Sequence, residues 1–310
     1  MGDDGFALAF RDLWGDRAEF SFVSEVPTDV NDYDALIIGG GSIVDQRIPA
    51  RIEPQKVLVP IAAVGIGIHI QIDQQAMRWL RRARIVVARN QPPPTMPEAI
   101  VAPDLFFSRK WDIPPLDLSQ SGIVVLANEH AIPTATGPVW AVRAWDWFAT
   151  EFARILDVRP KDESITFFPM CSSGKISVMG PHDDRLAAAR IVSLMRTRER
   201  VEFVNDPAEL DSLVTLIASS SLVISLRFHG AMLAALLGVP FVGISMHDKM
   251  RSFFVENELQ NWCDFYGFSG EQLLTAINAS PSAERMKELR EEGYERWQHM
   301  SDIVAGELSL

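Results

Sequence analysis

Short runs of valine, isoleucine, leucine and alanine recur along the chain, and stretches of helical period separate them. Residues 34–40 (DALIIGG), 57–67 (VLVPIAAVGIG) and 84–89 (RIVVAR) are continuously apolar rather than alternating. Strands buried on both faces of a parallel sheet have that pattern. Between the second and third runs, residues 74–82 carry the apolar spacing of a short amphipathic helix. The proline-rich stretch 91–97 (QPPPTMP) lacks the backbone donors that a helix or central strand needs. A short strand is expected near Val101.

Residues 108–119 are polar and hold Pro114 and Pro115, which places a domain boundary there, with domains at 1–115 and 116–310. A second alternation follows. Strands are expected at 122–127, 164–168, 201–204, 222–226 and 241–245, and a long helix at 139–156. Further helices start near Asp183 and at Pro207, the latter with Asp206 as N-cap, and a charged helix over 283–306 ends the chain. This order predicts an α/β protein with two Rossmann-like, doubly wound parallel-sheet domains facing a cleft, each with a switch point where ligands bind at strand carboxyl ends.

The most informative stretch is 220–250 (SSLVISLRFHGAMLAALLGVPFVGISMHDKM). It reads as strand, short helix over 230–237, terminating Gly238, then strand. Arg227 and His229 fall where the first strand gives way to the helix, whose N-terminus presents unpaired N–H groups and positive potential. Lys249 falls just past the second strand. Parallel strands put all three at one sheet edge, where an arginine fork and an ammonium suit phosphate or carboxylate. Taken singly, each has a blander reading: pairing with an acid such as Asp248, or starting a helix. In the first half, Gly39, Gly40, Gly41 and Ser42 follow a buried strand and fit either a tight turn or a substrate loop. Trp140, Trp145 and Trp147 fit helix packing, or stacking on a sugar ring.

The formal net charge of −12 argues against nucleic acid or anionic lipid as partner, and it requires that any anionic substrate be held by local cations. Two widely spaced cysteines, Cys171 and Cys263, form neither a disulfide framework nor a zinc site. No metal or cofactor is called for. The start of the chain lacks a signal-peptide pattern and no apolar run is long enough to span a bilayer, so the expected location is the cytoplasm. A homo-oligomer is compatible with the sequence.

Four segments together resemble the polysaccharide pyruvyl transferase family. They are Gly2-Asp3-Asp4-Gly5, residues 36–45 (LIIGGGSIVD), residues 86–90 (VVARN), and the run of RxH, small-residue helix, GxP, strand and DxK from Leu226 to Lys249. Where the family often has arginine after the first strand of the second domain, this chain reads Ala127-Asn128-Glu129-His130. The resemblance implies a GT-B-like fold, phosphoenolpyruvate as donor and a carbohydrate hydroxyl pair as acceptor. It carries Arg227, His229 and Lys249 over as donor-site residues. Arg89, at a strand end, joins the donor candidates, and His229 is the general acid candidate because an imidazole's ordinary pKa of ~6.5 lies near working pH. Asp45, Asp104 and Glu129 are the acid/base candidates. The alternatives are a GT-B-type nucleotide-sugar glycosyltransferase and a non-catalytic carbohydrate-binding relative.

Overall fold

A computed structural model of the chain describes residues 2–41, 48–68, 73–94, 96, 98–111, 122–128, 139–171, 176–177, 180–181, 183–204, 210–246 and 248–310. It divides into two compact units, Gly2–Lys110 with Arg290–Leu310, and Trp111–Leu289.

The first unit opens with helix α1 (Gly2–Trp14) and carries strands β1 (Leu36–Gly39), β2 (Ile61–Ile66), β3 (Ile85–Ala88) and β4 (Ile100–Val101), with α2 (Gln74–Leu80) before β3. All pairings are parallel and the sheet order follows the chain, β1-β2-β3-β4. Every residue of β2 and β3 is buried, as their unbroken apolar runs require. Asp73 caps α2 by accepting hydrogen bonds from the N–H groups of Gln75 and Ala76.

The second unit contains β5 (Gly122–Leu126), α3 (Val139–Val158), β6 (Ser164–Phe167), the antiparallel pair β7 (Ile176–Ser177) and β8 (Gly180–Pro181), α4 (Asp184–Leu194), β9 (Val201–Phe203), α5 (Leu210–Ala218), β10 (Leu222–Ser225), α6 (Phe228–Leu237), β11 (Phe241–Ser245), α7 (Asp248–Glu256), β12 (Trp262–Asp264) and α8 (Gly270–Asn278). Its six-stranded parallel sheet runs β12-β11-β10-β5-β6-β9. Read from the other edge, the order is third, second, first, fourth, fifth, sixth, which is the Rossmann arrangement. The chain starts at the centre, winds outward through β6 and β9, then returns to the other side of β5. The order therefore reverses between β5 and β10. Of the two switch points expected, the described strands contain this one.

The last helix, α9 (Ala283–Leu308), which the sequence assigns to the 116–310 domain and expects to pack across both, belongs to the first unit from Arg290 onward. Trp297 is fully buried there and its indole N–H lies 3.0 Å from the Pro103 carbonyl oxygen, while the Trp14 indole donates to the Ser301 carbonyl at 3.0 Å. An apolar stripe shows that a helix must be covered, but not by which core. The sequence boundary after residue 115 and the capping of the helix at Asp206 and Pro207 lie outside the described residues.

Two helix starts were not anticipated: residues 2–5 are the first turn of α1, and Lys249 lies in the first turn of α7.

Candidate functional site

The turn from β10 to α6 is built by Ser225. Its fully buried hydroxyl accepts a hydrogen bond from the Arg227 N–H at 3.1 Å and donates to the Arg227 carbonyl at 2.7 Å. That local side-chain closure ends the strand and holds Arg227 extended as the N-cap of α6. The helix then packs tightly on the sheet. At Gly230 a Cβ would collide with the Leu126 side chain and the Ser225 hydroxyl, so only glycine fits. Gly238 ends the helix at φ +77°, and its N–H and that of Val239 close the last turn onto Ala235 and Ala234. Across the switch point, the buried Asn128 amide donates to the Leu226 carbonyl at 3.3 Å and ties the end of β5 to the end of β10.

β10 and β11 are parallel neighbours, with Ser225 opposite Gly243. Their carboxyl ends share one edge, so α6 and α7 begin side by side. The Phe228 ring sits at the centre of the group. Its centroid lies 5.2 Å from the His229 ring and 5.8 Å from the Lys249 ammonium. Phe253 of α7 closes on it edge-to-face at 5.9 Å. The ammonium lies over the aromatic face, a placement that favours the cation. Arg227 and His229 at the start of α6 and Lys249 at the start of α7 thus follow neighbouring parallel strands at one edge of the second sheet.

The acid that pairs with Arg227 is Asp184, at the start of α4, and not Asp248, which is exposed. The Arg227 Nε lies 3.1 Å from Asp184 Oδ2, and Nη2 donates to Oδ1, a two-point fork that leaves Nη1 outside the pair. The Asp184 side chain is 0% exposed and that of Arg227 19% exposed. Asp184 also accepts the Cys171 N–H at 2.9 Å, while its own N–H donates to the Cys171 carbonyl at 2.9 Å. One buried carboxylate therefore fixes both the arginine and the chain leaving β6. Sequence reasoning missed it, although a signal was present. Two acids, Asp183 and Asp184, open the helix, and Asp183 alone provides the cap by accepting the Arg185 N–H.

In the first unit, Arg89 ends β3 and is held at 2.9 Å by Asp104, with both side chains buried. The Arg89 guanidinium packs against Gly67, where a Cβ would collide with it. Asp104 also accepts the Phe106 N–H at 3.1 Å and so begins a 3-10 turn. A structural task thus accounts for both residues, which belong to a different unit from Arg227 and Lys249. The glycines after β1 have a packing explanation as well. A Cβ on Gly39 would strike the Phe10 ring, and one on Gly40 would strike Phe6, both rings of α1. Gly40 and Gly41 adopt φ of +75° and +71°, which favours glycine. Among the described residues, only Gly41 of the three faces open space. Ser42, Asp45 and Glu129 lie outside the described residues. Of the tryptophans, Trp145 is buried and stacks on Phe265, whereas Trp147 is exposed and donates its indole N–H to the Phe268 carbonyl. Trp140 falls where side chains are not described. Among the described residues, no group of three or more metal-ligating side chains occurs, and no helix is long and apolar enough to cross a membrane.

The strand order and the basic turn at its reversal define a Rossmann-type α/β protein. Two solved structures share its fold. The S. aureus MnaA–UDP co-structure aligns with a TM-score of 0.53 at 11% identity, covering 98% of this chain and 80% of that one. The UDP-GlcNAc 2-epimerase from Neisseria meningitidis bound to UDP-GlcNAc also gives 0.53, at 11% identity, covering 89% and 76%. The two-unit, GT-B-like fold class expected from the sequence is the one observed. No curated protein matches the chain. The family profile described as Polysaccharide pyruvyl transferase matches residues 8–248, well over half of the 310 residues. The chain belongs to the polysaccharide pyruvyl transferase family, a family of transferases.

Proposed function

We propose that the chain transfers a pyruvyl group from phosphoenolpyruvate to two hydroxyls of a carbohydrate, forming a cyclic ketal and releasing inorganic phosphate. The observation that carries this reading is the convergence of Arg227, His229 and Lys249 on the N-terminus of α6, beside the β5/β10 switch point. Open α/β sheets bind ligands at such crevices, and helix N-termini favour anions there. Phosphoenolpyruvate carries a phosphate and a carboxylate, and the arginine fork and the ammonium offer a partner to each.

In this scheme His229 donates a proton to the methylene carbon of the enol. C2 becomes electrophilic, and a sugar hydroxyl adds to it and gives up its proton to a base. Phosphate then leaves with the C2–O bonding pair, and the neighbouring hydroxyl adds to C2, gives its proton to the now neutral His229 and closes the ring. Imidazole suits the first step because its ordinary pKa of ~6.5 lies near working pH. Of the base candidates Asp45, Asp104 and Glu129, Asp104 is already engaged by Arg89 in the other unit and is not proposed for this site.

The carboxyl end of β6 supports a small donor over a nucleotide. Dinucleotide sites carry an acid at that strand end to hold the ribose, and here the residues are Phe168, Pro169, Met170 and Cys171. Isothermal titration tests the reading. Phosphoenolpyruvate should bind in the micromolar range and uridine diphosphate should not. Binding of the nucleotide with none of phosphoenolpyruvate would overturn the proposal. His229→Ala should lower turnover by about 10²–10⁴-fold, the range for a positioned proton donor, with little change in donor affinity. Full activity in that variant would remove His229 from the role.

A further inference from the structure

We propose that Asp184 is a positioning residue for the anion site. It orients Arg227 so that the guanidinium meets the donor by direction rather than by net charge. The inference rests on the donor reading above but has its own failure point.

Three observations support it. Asp184 is fully buried, yet it stands at the one place in the second sheet where strand order reverses, against the residue that ends β10. Its two oxygens take Nε and Nη2 of Arg227, which fixes the plane of the guanidinium and leaves Nη1 as the donor outside the pair. The carboxylate is itself held. Asp184 N–H and Oδ2 bond the carbonyl and N–H of Cys171, so the residues that enter and leave the β7–β8 excursion are tied together beneath the arginine. With its Nε–Nη2 side filled, the arginine offers an anion its other edge, Nη1 and the second N–H of Nη2, in a set direction. As monopoles Arg227 and Asp184 cancel, so the pair acts on an anion by direction rather than by net charge. A carboxylate that served only to cap α4 would have no reason to meet Arg227, because Asp183 already caps that helix.

A double-mutant cycle on the full chain tests this, with phosphoenolpyruvate as titrant and melting temperatures recorded for each variant. Asp184→Asn keeps the shape and the N–H contacts near it but loses the charge-assisted fork. It should weaken binding by about tenfold, the scale of one such bond. Arg227→Ala should weaken binding at least as much. The double variant should bind like Arg227→Ala alone, because Asp184 acts only through the arginine. A merely structural Asp184 would lower the melting temperature and leave affinity unchanged, or its loss would multiply with that of Arg227→Ala. Either result overturns the proposal. Should Asp184→Asn fail to fold, Arg227→Lys serves instead. It keeps the charge beside Asp184 but cannot form the planar two-point contact. Affinity close to that of Arg227→Ala supports the proposal, and affinity close to wild type overturns it. If wild type binds uridine diphosphate and not phosphoenolpyruvate, the functional reading falls while the same cycle with uridine diphosphate still tests the role of Asp184. A chain that binds neither anion overturns both.

Discussion

Alanine at Gly40 and at Gly41 should have very different costs, although the two glycines are adjacent and share the same backbone conformation. Both sit at positive φ, +75° and +71°. An L residue there carries a penalty of roughly 1–2 kcal/mol, and part of it is offset by the ~0.4–1 kcal/mol that alanine gains from a less flexible unfolded chain. Gly41→Ala should therefore lose about 1 kcal/mol, since among the described residues its Cβ meets nothing within 4 Å. Gly40→Ala must in addition push aside the Phe6 ring, which is 5% exposed and packs edge-to-face on Phe106 at 5.7 Å. Overpacking of that kind costs ~1–3 kcal/mol, so the total should reach about 2–4 kcal/mol. Urea unfolding at unchanged slope measures the difference. In a Phe6→Ala background the extra cost at Gly40 should vanish, because the colliding ring is gone. Equal midpoints for the two single variants would refute the packing account of this loop. A substrate role would instead show at Gly41, as lost turnover with stability nearly intact.

Arg227→Ala should destabilise the second unit by about 3–5 kcal/mol because it leaves buried Asp184 without its counter-charge, and adding Asp184→Asn should recover part of that loss in a thermal melt. Asp157 should make stability fall in acid. Partial burial raises its pKa, but the Thr197 and Arg196 N–H groups, the Thr197 hydroxyl and the Arg196 charge lower it further, so it ends below the usual 3.8. A depressed folded pKa means stability fully present above 3.8 and lost as pH falls through the folded value, so Asp157→Ala should flatten the acid limb of a pH titration of stability. Burial, reinforced by the neighbouring Asp264 charge, pushes the Cys263 thiol up to about 12, so alkylation at pH 8 should be slow in the folded chain and rapid in urea. A folded-state rate at Cys263 like that of a free thiol would contradict the burial.

Much of the site was legible because it is local. Residues 222–245 fold into a strand, helix and strand whose ends the apolar runs and Gly238 mark directly, and parallel pairing then forces Arg227, His229 and Lys249 to one edge. The observed strands stop within a few residues of the expected ones, and β11 matches its expected span. What the sequence did not show was every contact that depends on a distant segment. Asp184 lies 43 positions from Arg227, and nothing in either local pattern encodes their meeting. The glycines after β1 left a tight turn and a substrate loop both open, because the aromatic rings packed against Gly39 and Gly40 come from α1, a distant segment. The same limit explains Arg89. The sequence shows a basic residue at a strand end, and only the fold shows the buried aspartate set against it.

These long-range contacts change the electrostatic argument as well as the residue roles. From the sequence, three basic groups gather against a net charge of −12, which suggests a site that works by accumulated positive charge. In the structure, Asp184 offsets Arg227 as a monopole, and the Lys249 ammonium is shared with the face of Phe228. A site of that kind gains little from attraction at a distance, where the surrounding carboxylates dominate and salt screens what remains beyond ~10 Å. Its selectivity must come from contact. A fixed nitrogen of Arg227, the ammonium, and the N–H groups that open α6 each point to a particular place. On the proposed reading, an anion whose oxygens match those places is held, and one of equal charge with the wrong spacing is not.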